Sequence, residues 1–129
     1  MTEPDEVVTL SLPAQSRFIR LARLVGAGLA NDLGIDLDGL DDVRLAIGEA
    51  CGLAAQFGAT AIGLHFSLVD GALVVRGGTT DGTTTRSLAG ADDEQLRLVR
   101  QILDVACARH ELTVDSSGLS FSLSFTHGS

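Results

Sequence analysis

Asp41-Asp42-Val43-Arg44-Leu45-Ala46-Ile47-Gly48-Glu49-Ala50-Cys51-Gly52-Leu53-Ala54-Ala55 reads as one amphipathic helix. Val43, Leu45, Ala46, Ile47, Ala50, Leu53 and Ala54 recur at helical spacing and form an apolar face. Glu49 falls among them. A carboxylate beside a buried stripe needs a partner or a task, because desolvating a charge is costly.

Upstream, residues 7–12 alternate apolar and polar as a half-buried strand does, and Pro13 ends the run. Residues 15–33 then read as a helix, with Phe18, Ile19, Leu21, Ala22, Leu24, Val25 and Leu29 as a broad apolar face. Arg17, Arg20 and Arg23 recur every three residues as a basic ridge. Gly34 is placed to close that helix, and Asp38, in an acidic connection, to cap the next.

Downstream, Gly58 ends the central helix. Residues 60–69 alternate, with Ile62, Leu64, Phe66 and Leu68 on one side. Asp70-Gly71 is a two-residue hairpin signal, and residues 72–76 continue as its second strand. Residues 77–90, rich in Gly, Thr and Ser, read as a loop. Asp92 or Asp93 can cap a third helix running to about His110, with Leu96, Val99, Ile102, Leu103 and Ala106 inward. Residues 112–115 and 119–126 read as strands around the turn Ser116-Ser117-Gly118. The last strand should bury Leu119, Phe121, Leu123 and Phe125. The order β-α-α-β-β-loop-α-β-β predicts one α+β domain over residues 1–129, a two-layer α/β sandwich. Its sheet is expected to be mixed but mainly antiparallel, with three helices on one face.

A chain of 129 residues with 45% hydrophobic content can build a genuine core. Aromatics make up only 4%, without Trp or Tyr, which argues against base-stacking platforms. A net charge of −8 argues against nucleic acid as a partner. The basic residues are all arginine, which excludes a phosphate-binding or Schiff-base lysine. No window is long and apolar enough for a membrane span, and the acidic start lacks the layout of a secretory signal. Cys51 and Cys107, beside alanines in helical patterns, read as buried reduced thiols, with a disulfide or metal pair as the alternative. A cytoplasmic protein is expected. His65, His110 and His127 lack ligand spacing, and His110 reads as a partner of the third helix's dipole. No serine sits on a strand-to-helix nucleophile elbow.

The central helix resembles the N-box of Bergerat-type (GHKL) ATPases, above all the small anti-sigma factor serine kinases of bacteria. That box reads roughly L-x-x-A-V-x-E-A-x-x-N-A. Leu45, Ile47, Glu49, Ala50 and Ala54 match it in order. The element order is also that of the Bergerat fold, so the resemblance covers nearly the whole chain. It implies a degenerate, actinobacterial-type member, because the nucleotide positions depart from the pattern. The family's Asn, which holds the magnesium bridging the phosphates, is replaced by Leu53, and leucine offers no oxygen to a hard cation. The family's adenine-binding Asp has Gly77 as its nearest equivalent, with Asp81-Gly82 a few residues on as a possible substitute. The glycine box expected to open the third helix reads Ala91-Asp92-Asp93-Glu94, and three acids there would repel a triphosphate.

Glu49 is then a vestigial general base, or simply a solvated or arginine-paired helix residue, with Arg44 or Arg20 as the candidate partner. The expected cofactor is none, with Mg-ATP as the alternative. The resemblance implies that the first helix grips partner proteins, with Arg20 matching the family's contact arginine after Phe18 and Arg17 and Arg23 flanking it. Those partners would be a STAS-domain anti-anti-sigma factor and possibly a sigma factor. A homodimer is also implied. The function expected is an anti-sigma-factor-like regulator acting by occupancy. The alternatives are an active serine kinase, with Glu49 as base and Asp81 reading adenine, and a sensor of another ligand in the vacated cleft.

Overall fold

The structure is a computed structural model and describes residues 5–80, 93–115 and 118–127. Five strands and three helices follow in the order β1 (Asp5–Pro13), α1 (Ser16–Asp32), α2 (Leu37–Gln56), β2 (Ala61–Val69), β3 (Ala72–Thr79), α3 (Asp93–Ala106), β4 (Arg109–Asp115) and β5 (Gly118–Thr126). The strands form one sheet in the order β1-β2-β3-β5-β4. Every pairing is antiparallel, so the expected mixed sheet is corrected to a purely antiparallel one.

Alternation along the strands sets the two layers. Leu12, Ile62, Leu64, Phe66, Leu73, Val75, Leu119, Phe121, Leu123 and Phe125 are buried on one face of the sheet. The register places Thr9, His65, Arg76, Ser122 and Glu111 in one row across the other face. The helices cover the apolar face, with α2 packed between α1 and α3 and resting on β3 and β5. Val43, Ala46, Ile47 and Ala50 of α2 are completely buried there. Burying side chains of this size supplies roughly 1.5–3 kcal/mol each for the larger ones.

The helix ends have identifiable causes. At the end of α1, Gly34 has φ 86°, its N–H donates to the Asn31 carbonyl at 3.0 Å, and the Ile35 N–H donates to that of Ala30 at 3.1 Å. That pair of bonds is a Schellman closure, and a left-handed residue such as glycine is what it requires. Gly58 closes α2 with the same two bonds. The cap of α2 is Asp36, not Asp38: its Oδ1 accepts from the Gly39 N–H at 2.9 Å. Asp38 lies inside the first turn, where its charge still suits the helix dipole.

Three further expectations are corrected. β3 runs on through Gly77, Gly78 and Thr79, where a loop was expected. α3 ends at Ala106, so Cys107 lies just beyond it and His110 lies in β4. There His110 Nε2 is 2.6 Å from Asp104 Oδ1, which ties the edge strand to the last turn of α3. Leu21, Leu24 and Leu45, assigned to apolar faces by spacing, are 44%, 60% and 45% exposed. The buried arc of each helix is simply narrower than the arc its apolar residues span.

Candidate functional site

Glu49 and Leu53 lie one turn apart on the same side of α2. Glu49 is half-buried, whereas Leu53 is 2% exposed and belongs to the core. Arg44 does not reach Glu49; its Nη1 pairs with Asp41 Oδ1 at 2.9 Å on the exposed side of the helix. At position 53, then, the chain presents packed hydrocarbon and no oxygen.

Gly77 sits inside the sheet, paired with Leu64 of β2 on one side and Phe121 of β5 on the other. A Cβ built on Gly77 would lie 2.5 Å from Phe121 Cζ and 2.8 Å from Leu64 Cδ2. Both neighbours are core residues, so the space in which a side chain at 77 would extend is occupied from two directions. An aspartate could not stand there without displacing the Phe121 ring. Position 53 thus offers no oxygen to a ligand, and position 77 has no room for a side chain. Asp81, Gly82, Ala91 and Asp92, which complete the sequence reading of the nucleotide boxes, lie outside the described residues, as does the turn pair Ser116-Ser117. Sequence reasoning misses the filled space, because Gly77 and Gly78 read as loop residues and nothing in the sequence identifies Phe121 as the neighbour; glycines inside a strand would have marked such a close approach.

The three arginines of α1 do not form one ridge. A step of three residues turns 300° around a helix, so the series drifts across its surface. Arg17 and Arg20 are exposed, and the Arg17 guanidinium carbon lies 4.7 Å from the centroid of the Phe18 ring. Arg23 is half-buried against α2, with Nη1 3.2 Å from where a Cβ of Gly48 would be. Burial pushes the Cys51 thiol up to about 12, and the Arg23 charge pulls the other way. Cys107 is half-buried, and its thiol too is pushed up to about 12, by burial first and then by Asp42 and Asp104. Both cysteines are free thiols, far from the thiolate form at neutral pH.

A cleft of about 370 Å³ opens between the start of α2 and the end of α3, lined by Asp36, Asp38, Asp42, Val105, Cys107 and Phe125 among others. Burial, then the neighbouring Asp38, Asp41 and Asp36, raise the Asp42 carboxyl above its usual range. Among the described residues, no group of His, Cys, Asp and Glu is arranged to hold a metal ion. No helix among them is long and apolar enough to cross a membrane.

No family model matches the chain. It is 39% identical over 46 residues to the serine-protein kinase RsbW of Halalkalibacterium halodurans, a segment that covers 36% of this chain and 28% of that protein. It is 37% identical over 51 residues to the proteins of the same name from Bacillus mycoides and Bacillus thuringiensis, covering 40% of this chain and 32% of each relative. The chain thus spans about a third of the length of the curated relatives it matches. These partial relatives support the resemblance to the anti-sigma factor kinase family.

Proposed function

We propose that this protein is an anti-sigma-factor-like regulator that binds its partners by the surface of α1 and no longer binds ATP or transfers phosphate. Its partners would be a STAS-domain anti-anti-sigma factor, a sigma factor, or both, and its place the cytoplasm. The scaffold would be a degenerate Bergerat (GHKL) domain. The observation that carries this reading is the space beside Gly77, which the Phe121 ring and Leu64 fill where the family's adenine carboxylate would stand. Leu53 supports it by placing hydrocarbon at the family's metal position. Glu49 remains as a general base with no phosphoryl donor beside it, and a base alone transfers nothing. Partner switching would then depend on a kinase elsewhere: a phosphoserine on the STAS partner adds charge and bulk at a packed interface and weakens docking.

Calorimetric titration with Mg-ATP tests the loss of nucleotide binding. The expected result is no saturable heat. Saturation in the micromolar to low millimolar range would restore the second reading, which the names of the relatives favour: a serine-protein kinase with Glu49 as base and Asp81 at the adenine. Capture of purified STAS-domain and sigma-factor proteins from the same genome tests the binding half. Sedimentation velocity tests the proposed homodimer.

A further inference from the structure

Residues 32–42 hold five aspartates, Asp32, Asp36, Asp38, Asp41 and Asp42, and no basic residue. The fold sets the end of that run against the end of α3. In the cleft of about 370 Å³ between them, Asp38 and Asp42 line one wall and Val105 and Cys107 the other, over the buried side chains of Ile35 and Phe125. Among the described residues, Arg44 pairs with Asp41 and His110 with Asp104, so neither cation serves Asp38 or Asp42. The cleft is thus acidic at its wall and apolar at its base. An apolar stripe leads away from it along α3. Val105 is 83% exposed, the most of any large apolar side chain among the described residues, and Leu98, two turns back on the same line of the helix, is 49% exposed. Half-buried Ile102 lies between them. Positions 94, 98, 101, 102 and 105 share this side of α3 and are Glu, Leu, Gln, Ile and Val, without a base. Arg100 turns the other way, its Nη2 donating to the Leu112 carbonyl of β4 at 2.8 Å. Single exposed aliphatics are ordinary. A spaced row of them ending in an acidic cleft is not single, and the combination selects its occupant by charge and shape. A small cation would satisfy the aspartates and leave the stripe wet. An acidic partner is repelled by a chain of net charge −8. A helix with an apolar stripe and arginines beside it matches both features.

We propose that the cleft between α2 and α3, together with the stripe on α3, is a docking site for a basic amphipathic helix of a partner protein. That helix lies along α3 with its apolar residues on Leu98 and Val105. One of its arginines enters the cleft, where the stem packs over Ile35 and Phe125 and the guanidinium fork meets Asp38 and Asp42. Because α2 is packed between α1 and α3, the site lies across the helical layer from α1. It depends neither on what α1 binds nor on the nucleotide positions.

Calorimetric titration of the full chain tests this with a synthetic peptide of about 18 residues, long enough to hold a helix. It carries leucine at i, i+4, i+7 spacing, with alanine and arginine around it. A scrambled peptide of the same composition and free spermidine are the comparison ligands. The variants are Leu98→Gln, Val105→Gln, Asp38→Asn and Asp42→Asn, with Glu111→Gln on the other face of the sheet as a charge-matched control. Glutamine keeps helix propensity, and thermal melts establish that each variant is folded. The expected result is saturable binding of the patterned peptide, weaker by about tenfold or more in Val105→Gln and in Asp42→Asn. Glu111→Gln should leave it nearly unchanged, and the scrambled peptide should bind far more weakly. Absence of saturable binding by the patterned peptide overturns the proposal. So does equal binding of the two peptides, or an equal loss in Glu111→Gln and Asp42→Asn, since either shows only general attraction to an acidic chain. If the aspartate variants lose binding while Leu98→Gln and Val105→Gln do not, and spermidine competes with the peptide, the cleft takes small cations and the helix is wrong.

Discussion

A methyl group added at Gly77 would press on Phe121 Cζ at 2.5 Å and on Leu64 Cδ2 at 2.8 Å. Gly77→Ala should therefore cost about 1–3 kcal/mol, as overpacking does, read as a lower urea midpoint. In a Phe121→Ala background the same substitution should cost much less, because the ring it meets is gone. Gly77→Asp should cost more than Gly77→Ala, since it adds a desolvated carboxylate to the clash. Leu53 is 2% exposed, so Leu53→Asn buries an amide without a built partner and should lose about 1–3 kcal/mol. It should leave the Mg-ATP titration flat. The thiols give a pH signature. Burial holds Cys51 and Cys107 at about 12 in the folded chain against an ordinary 9.0. Folded thiols keep their protons where unfolded ones lose them, so their contribution is whole below about pH 9 and declines as pH rises toward 12. Urea midpoints should fall on going from mildly to strongly alkaline buffer, and fall less in Cys51→Ala.

Helix boundaries were only partly legible in the sequence, for reasons of local geometry. Asp36 and Asp38 are equally good caps by residue type, and only the extended backbone of Asp36, with ψ 179°, selects it. Asp36→Ala should cost about 1 kcal/mol of stability by chemical denaturation, whereas Asp38→Ala should cost much less. α3 was read too long because no Gly or Pro stands between Ala106 and His110; the end comes instead from the Ala108 N–H, which leaves the helix to donate to the Ser124 carbonyl at 2.8 Å. β3 was read too short because Gly77 and Gly78 look like loop residues until Phe121 is seen across from them. In α1, hydropathy alone did not separate Leu21 and Leu24 from the buried Ile19 and Ala22, although that division defines the proposed docking face. At that face Arg20→Glu is expected to weaken partner capture by roughly 1–3 kcal/mol.

Over the whole molecule, the alternating strands and the helical periods made the α+β class, the element order and much of the core readable from residues alone. The Asp70-Gly71 hairpin announced the pairing of β2 with β3, but the pairing of β3 with β5 was not legible, because it joins segments distant in sequence. The same distance hid the pairing of Gly77 with Phe121. Charge is also a property of the whole: with −8 overall and Asp36, Asp38, Asp41 and Asp42 together at the start of α2, the folded chain repels itself. Added salt should raise its melting temperature modestly. The Asp42 carboxyl is raised in the folded state, so its contribution is favourable in acid and is lost as pH climbs through its folded value. Asp42→Asn should accordingly stabilise the protein at neutral pH. The fit of Phe121 into the gap at Gly77 also constrains descent. A lineage carrying this pair reaches a larger residue at 77 only by first shrinking 121, which hollows the core, or by changing 77 first, which jams it. Each order passes through an unfit ancestor, so the pairing acts as a ratchet, and the two positions should be inherited together.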